Sequence, residues 1–341
     1  MCLQRFFVAF FCGIFASGKP ENMTTTRPSR VLVILAFAAV YIIWGSTYLG
    51  IRLAIETLPG FLMAGTRFLT AGGILFIFAL ANGASIRQSF ADWRRALVIG
   101  GLLLLGGNGG VTWAEKYVAS SLAALFVATE PLWVVILIWG VTHKRPNAKV
   151  LLGMFIGLAG VALLVSDGLG QGVGNSKMSL IGAAVVLLAS LAWATGSVYA
   201  NRNPIDAPTS MTSGMQMLAG GGLLLILAVV MGDVGRLNLA NASWTSLAAF
   251  FYLLLFGSLV GFTAYSFLLK NVSAESAATY GYVNPVVAVL LGWSIAGEPL
   301  TLKTILAAAI IIGSVVLITT YGREHVAASI HDSECPTPPC A

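Results

Sequence analysis

Charge is what this sequence has least of. Only 9% of its 341 residues are Asp, Glu, Lys or Arg, whereas 57% are hydrophobic. A soluble domain carries about 25% charged residues, so the chain lacks the polar surface a water-soluble fold requires. Its mean hydropathy of +0.88 points to the bilayer as solvent. Cysteine is scarce, and Cys2, Cys12, Cys335 and Cys340 all lie in the tails. No disulfide framework can staple the interior, and in a cytosolic tail these residues are free thiols. The three histidines, His143, His325 and His331, fall in loops or the tail, so a buried metal site has no imidazole ligand. There is no His-Glu-x-x-His, Gly-x-Ser-x-Gly, Walker motif or intramembrane Asp pair, which argues against an integral-membrane enzyme, a cofactor and direct drive by ATP. The net charge of +6 comes from short basic clusters between apolar runs, where such residues set orientation rather than bind nucleic acid.

Apolar runs of about 20 residues, long enough to span, recur from Val31 onward. Ten candidate spans cover roughly 31–51, 60–81, 95–114, 120–141, 148–167, 178–200, 209–231, 246–268, 274–296 and 302–321. The expected fold is therefore all-α and integral to the membrane. Short links rich in Gly, Pro, Asn or charge separate the spans, and the Gly-rich link from Asp167 to Lys177 is the seam between halves. Residues 1–30 form an N-terminal segment, 31–167 a first unit, 178–321 a second, and 322–341 a polar tail expected to be disordered in the cytosol. Within the first segment, Phe6 to Ala16 resembles a signal-peptide core but is too short to span. Residues 1–22 read as an artefact of an upstream start, with Met23 as the working start. Counting loop Lys and Arg with the start inside gives 11 on the inner face and 5 on the outer. That bias puts both termini in the cytoplasm.

The two units repeat one another. Trp44 pairs with Trp193 at an offset of 149, Trp93 with Trp244 at 151, and Trp139 with Trp293 at 154. Pro131 and Pro285 share the last offset. Five spans is an odd number, so the second unit enters from the opposite face. The result is a 5+5 inverted repeat, the plan of many secondary transporters.

Each unit has a helix-breaking proline behind a polar residue: Glu130-Pro131 and Asn284-Pro285. Proline frees a backbone carbonyl inside the membrane, and the polar neighbour must face helices or water. Each lies about 10 residues into its span, which at about 1.5 Å per residue reaches the midplane. Arg67 stands well inside the second span, opposite its counterpart Gln216 in the seventh. Arg67 and Glu130 are expected to share a central cavity, paired or facing water; a pair that only fixes packing is the alternative. Glu130 is also a candidate proton carrier. Asn108 and Glu115 lie toward the outer face, placed for an exit path, although Glu115 equally suits the interface. Tyr280 and Tyr282 offer hydroxyls or simply pack. Glycine clusters such as Gly106-Gly107 and Gly109-Gly110 read as close helix packing.

Trp44-Gly45-Ser46-Thr47-Tyr48, Arg67, Pro131, Val283-Asn284-Pro285-Val286 and Gly297-Glu298 occur in this order, and together they resemble the EamA branch of the drug/metabolite transporter superfamily over about residues 31–321. The resemblance implies ten helices, a 5+5 inverted repeat and a central cavity in a multi-pass inner-membrane protein. It also implies movement of small metabolites, such as amino acids or drug-like compounds, often outward. It carries Trp44, Ser46, Tyr48, Arg67 and Asn284 over as cavity or gating candidates; Glu130 rests on the residue argument alone. The expected partners are a small-molecule substrate and the lipid bilayer, with monomer and homodimer both open. A channel-like conduit is the rival reading.

Overall fold

The computed structural model describes residues 29–118, 123, 126–143, 145–172, 177–296 and 301–331. The start-site reading of residues 1–22, the Gly297-Glu298 motif and the last ten residues lie outside this set. Regular structure among the described residues is helical throughout. The main helices are α1 (Arg30–Ile55), α2 (Gly60–Ala81), α3 (Phe90–Ala114), α4 (Glu130–Thr142), α5 (Ala148–Gly172), α6 (Lys177–Arg202), α7 (Thr209–Val230), α8 (Trp244–Asn271), α9 (Tyr280–Ala296) and α10 (Leu302–His331). Six of them, α1, α2, α3, α6, α7 and α8, are long and apolar enough to cross a membrane.

Local sequence explains the ends. Ser29, Ser89 and Ser243 cap α1, α3 and α8 by accepting from the N–H three residues on, which satisfies a donor that the helix itself leaves free. Pro59 and Pro208 precede α2 and α7, consistent with a residue that starts helices but cannot continue them backward. In the fourth span the expected break lies just before the proline, in a turn at 128–129. The helix that follows the turn starts at Glu130, with Pro131 in its first turn, where a missing N–H sacrifices no hydrogen bond. In the ninth span the break falls earlier than the proline. A four-residue helix (Ala274–Ala277) ends in a turn, α9 starts at Tyr280, and Pro285 lies inside it. The last helix runs to His331, past the span end expected at 321. Glu324, Ala327 and Ala328 favour helix, and no proline intervenes before Pro336.

α2 and α7 cross antiparallel through glycine. A Cβ at Gly72 would lie 2.8 Å from the Leu218 nitrogen, and one at Gly221 would lie 2.7 Å from the Leu69 nitrogen. Gly65 meets Leu225 in the same way, and Gly214 meets Phe76. Every one of these contacts maps onto another when 149 is added to the α2 number. A contact set that returns to itself in this manner is isologous. The exchange recurs elsewhere: Gly107 of α3 abuts Trp193 of α6, and Gly261 of α8 abuts Trp44 of α1. Both α3 and α8 carry a wide-turn, π-helical stretch, Gly101–Gly109 and Leu253–Phe262. Around these crossings the core gathers Phe68, Leu75, Leu104, Leu224 and Phe267.

Candidate functional site

Where α1, α2, α3, α6, α8 and α9 converge with the start of α4 they leave a cavity of about 80 Å³. Arg67 and Phe68 of α2 and Asn108 of α3 line one side. Glu130 at the start of α4 and Tyr280 and Asn284 of α9 line another. Trp44, Thr47 and Tyr48 of α1, with Ser190 and Trp193 of α6, complete the wall.

Arg67 is 2% exposed. Its Nη2 donates to Asn108 Oδ1 at 3.0 Å, and its guanidinium lies 4.2 Å from the centre of the Phe68 ring. Its Nε has no hydrogen-bond partner. Glu130 is fully buried and accepts from the Tyr280 hydroxyl on Oε2, while Oε1 has no partner. Asn284 is 2% exposed and neither amide atom has a hydrogen-bond partner of ordinary geometry, although the amide lies close to Tyr48. Unmade polar contacts in so buried a place are expensive, about 1–3 kcal/mol each. The cavity therefore presents a cation, a carboxyl and an amide that all have contacts still to make.

The apolar part of the wall is aromatic. Trp44 stands 5.4 Å edge-on to Trp193 and 4.9 Å from both Tyr265 and Tyr280. Backbone and hydroxyl bonds fix the cluster: Trp44 Nε1 donates to the Gly257 carbonyl at 3.2 Å, and Ser197 holds Tyr265 at 2.6 Å. Such rings supply a rigid surface for an apolar or cationic group.

Seven of the residues singled out in the sequence meet here: Trp44, Tyr48, Arg67, Asn108, Glu130, Tyr280 and Asn284. Arg67 and Glu130 share the cavity as expected but are not paired; among the described residues no ion pair joins them, and each bonds elsewhere. Three residues fall outside. Ser46 is spent on Tyr252 and the Ile43 carbonyl. Tyr282 donates to the Met154 carbonyl at 3.3 Å, packed between α5 and α10. Gln216 lines a separate, smaller space of about 10 Å³ with Lys270, Thr212 and Ser266. That space is the repeat-equivalent of one end of the main cavity, since Ala200 and Gln216 correspond to Ile51 and Arg67 at offset 149. Trp193 was legible in advance as the partner of Trp44. Tyr265 and Ser190 gave no signal, because lone aromatics and serines are common in membrane helices.

The chain belongs to the EamA-like transporter family, whose profile matches residues 31–166 and again 180–320. The chain is 42% identical over 288 residues to an uncharacterized inner membrane transporter, YedA, of Escherichia coli (strain K12), covering 83% of this chain and 89% of that one. It is 24% identical over 301 residues to the uncharacterized transporter YoaV of Bacillus subtilis (strain 168), covering 87% of this chain and 100% of that one. A crystal structure 22% identical in sequence superposes with a TM-score of 0.70, covering 87% of this chain and 99% of the other, and so shares the fold.

Proposed function

We propose that this protein is a secondary active or facilitative transporter, a permease that moves small amphipathic metabolites, such as amino acids or drug-like compounds, through the central cavity by alternating access. The observation that carries the reading is the cavity itself. Arg67, Glu130 and Asn284 reach it from three helices with unpartnered polar atoms, opposite an aromatic wall. Arg67 suits a carboxylate, Glu130 an amine, and the Trp44–Tyr280 cluster an apolar body. The likeness to inner membrane transporter YedA supports the same site of action, a multi-pass protein of the inner membrane.

The spans form ten transmembrane helices as a 5+5 inverted repeat, residues 31–167 and 178–321, with both termini in the cytoplasm. Two observations support this: the twofold family match and the self-mapping antiparallel contact of α2 with α7.

The deciding experiment is substrate flux from proteoliposomes across a panel of amino acids and drugs, with pH gradients imposed or absent. Saturable flux with counter-transport is expected for at least one compound. Unsaturable flux together with single-channel conduction would replace this reading with a conduit.

A further inference from the structure

Glu115 lies just beyond the last turn of α3 and is 6% exposed, yet neither carboxyl oxygen has a hydrogen-bond partner. Its N–H bonds the Val111 carbonyl at 2.9 Å, so the helical path continues through it. Asn108 and Val111 both line the cavity, and Glu115 follows them at i+7 and i+4, on the same face of the helix. The repeat agrees. Leu269, which corresponds to Glu115 at offset 154, lines the smaller equivalent space. Tyr48 shares the cavity with Glu130 and packs on the cluster that holds Val111 and Ala114, the residues leading into Glu115. On the outer side the exposed Arg52 guanidinium, one helical turn beyond Tyr48, acts on the same carboxyl.

We propose that Glu115 is a second proton-binding carboxyl on the path through this cavity, exchanging its proton with Glu130 by way of the Tyr48 hydroxyl. The inference rests on the cavity being the translocation path. A buried carboxylate with no donor is poorly solvated, so the resting form holds a proton. As the Glu115 proton moves to the Tyr48 oxygen, directly or through a bridging water, the Tyr48 proton passes to the Glu130 carboxylate. Tyr48 ends neutral, Glu130 ends protonated, and the Glu115 anion is left facing Arg52. One proton is displaced and nothing is oxidised. The groups around Glu115 are consistent with this. α1 brings Tyr48, Arg52 and, at its end, Glu56; the chain just after α3 brings Lys116 and Tyr117. The first turn of α2 and the Gly182–Ser190 face of α6 contain no titratable side chain.

The test uses the full-length protein in liposomes and the carboxyl reagent dicyclohexylcarbodiimide, which adds to protonated carboxyls in apolar surroundings. Peptide mass spectrometry at pH 7 is expected to find adducts on Glu115 and Glu130 and none on the exposed Glu56, with yield falling as pH rises. Labelling of Glu130 without Glu115 overturns the proposal. After a pH jump, tryptophan fluorescence reports on Glu130 through Tyr280 and Trp44, which meets that ring edge-on. Glu115→Gln and Tyr48→Phe are each expected to slow that change at least tenfold while its amplitude persists, and an unchanged rate in both also overturns it. Because this readout needs no substrate, adducts on both carboxyls without saturable flux sink only the transporter reading. Saturable flux with an unlabelled Glu115 sinks only this one.

Discussion

At the scale of the residue, the site is a set of unmet bonds. Arg67 has one strong partner, Asn108, and an Nε that meets none. A guanidinium held in that way can take a carboxylate in a bidentate grip that an ammonium cannot reproduce. Arg67→Ala is therefore expected to lower saturable flux at least tenfold, and Arg67→Lys to recover little of it, both read in proteoliposomes at matched protein content. Wild-type flux in the Ala variant would reduce Arg67 to a packing residue. Glu130 sits differently, since Tyr280 already holds one of its oxygens. Tyr280→Phe leaves that oxygen unpartnered in a buried place, and a loss of about 1–3 kcal/mol is expected, measured as a lower thermal midpoint of the purified protein.

These residues were legible because an Arg, a Glu and an Asn in apolar runs have few reasons to be there. What the sequence could not give was the direction in which each points. Gln216 occupies the repeat-equivalent position of Arg67 and was expected in the same cavity, but it lines the smaller space beside Lys270. Tyr282 lies two residues from Tyr280 and from Asn284. On a helix that spacing turns the side chain to another face, and here it turns toward α5 and α10.

At the scale of the element, glycine decides which helices meet. Gly72 and Gly221 let α2 and α7 approach until backbone atoms touch, whereas their sequence neighbours Gly73 and Gly222 have nothing within 4 Å of a built Cβ. The four positions make a controlled set, since each pair is related by 149. Gly72→Ala and Gly221→Ala are each expected to destabilise by about 1–3 kcal/mol through overpacking. Gly73→Ala and Gly222→Ala should leave the melting curve of the solubilised protein where it was. Equal behaviour of all four would mean that the crossing is not the tight one described. The sequence signalled such contacts by composition only. The wide turns in α3 and α8 were invisible to it, because an extra residue in one turn leaves no mark on an almost uniformly apolar run.

At the scale of the whole molecule, the loop charges and the repeat make one joint prediction. Green fluorescent protein fused at the C-terminus should fluoresce, and alkaline phosphatase fused there should be inactive. Phosphatase inserted near Arg236, between α7 and α8, should be active. The reverse pattern would remove the inverted arrangement along with the assigned orientation. Trp spacing made the twofold organisation readable before any coordinates, because tryptophan is rare enough for three ordered pairs to mean something.

The self-mapping contact between α2 and α7 carries one more consequence. A surface that matches its own repeat-equivalent after inversion would also match an unfused copy of itself inserted upside down. A chain as short as residues 31–166 would then need only to thread the bilayer in both senses to find its mate. Joining the two copies in one polypeptide fixes their ratio at one to one. The two copies are not identical in such a chain, and arginine at 67 against glutamine at 216 is the difference nearest the cavity.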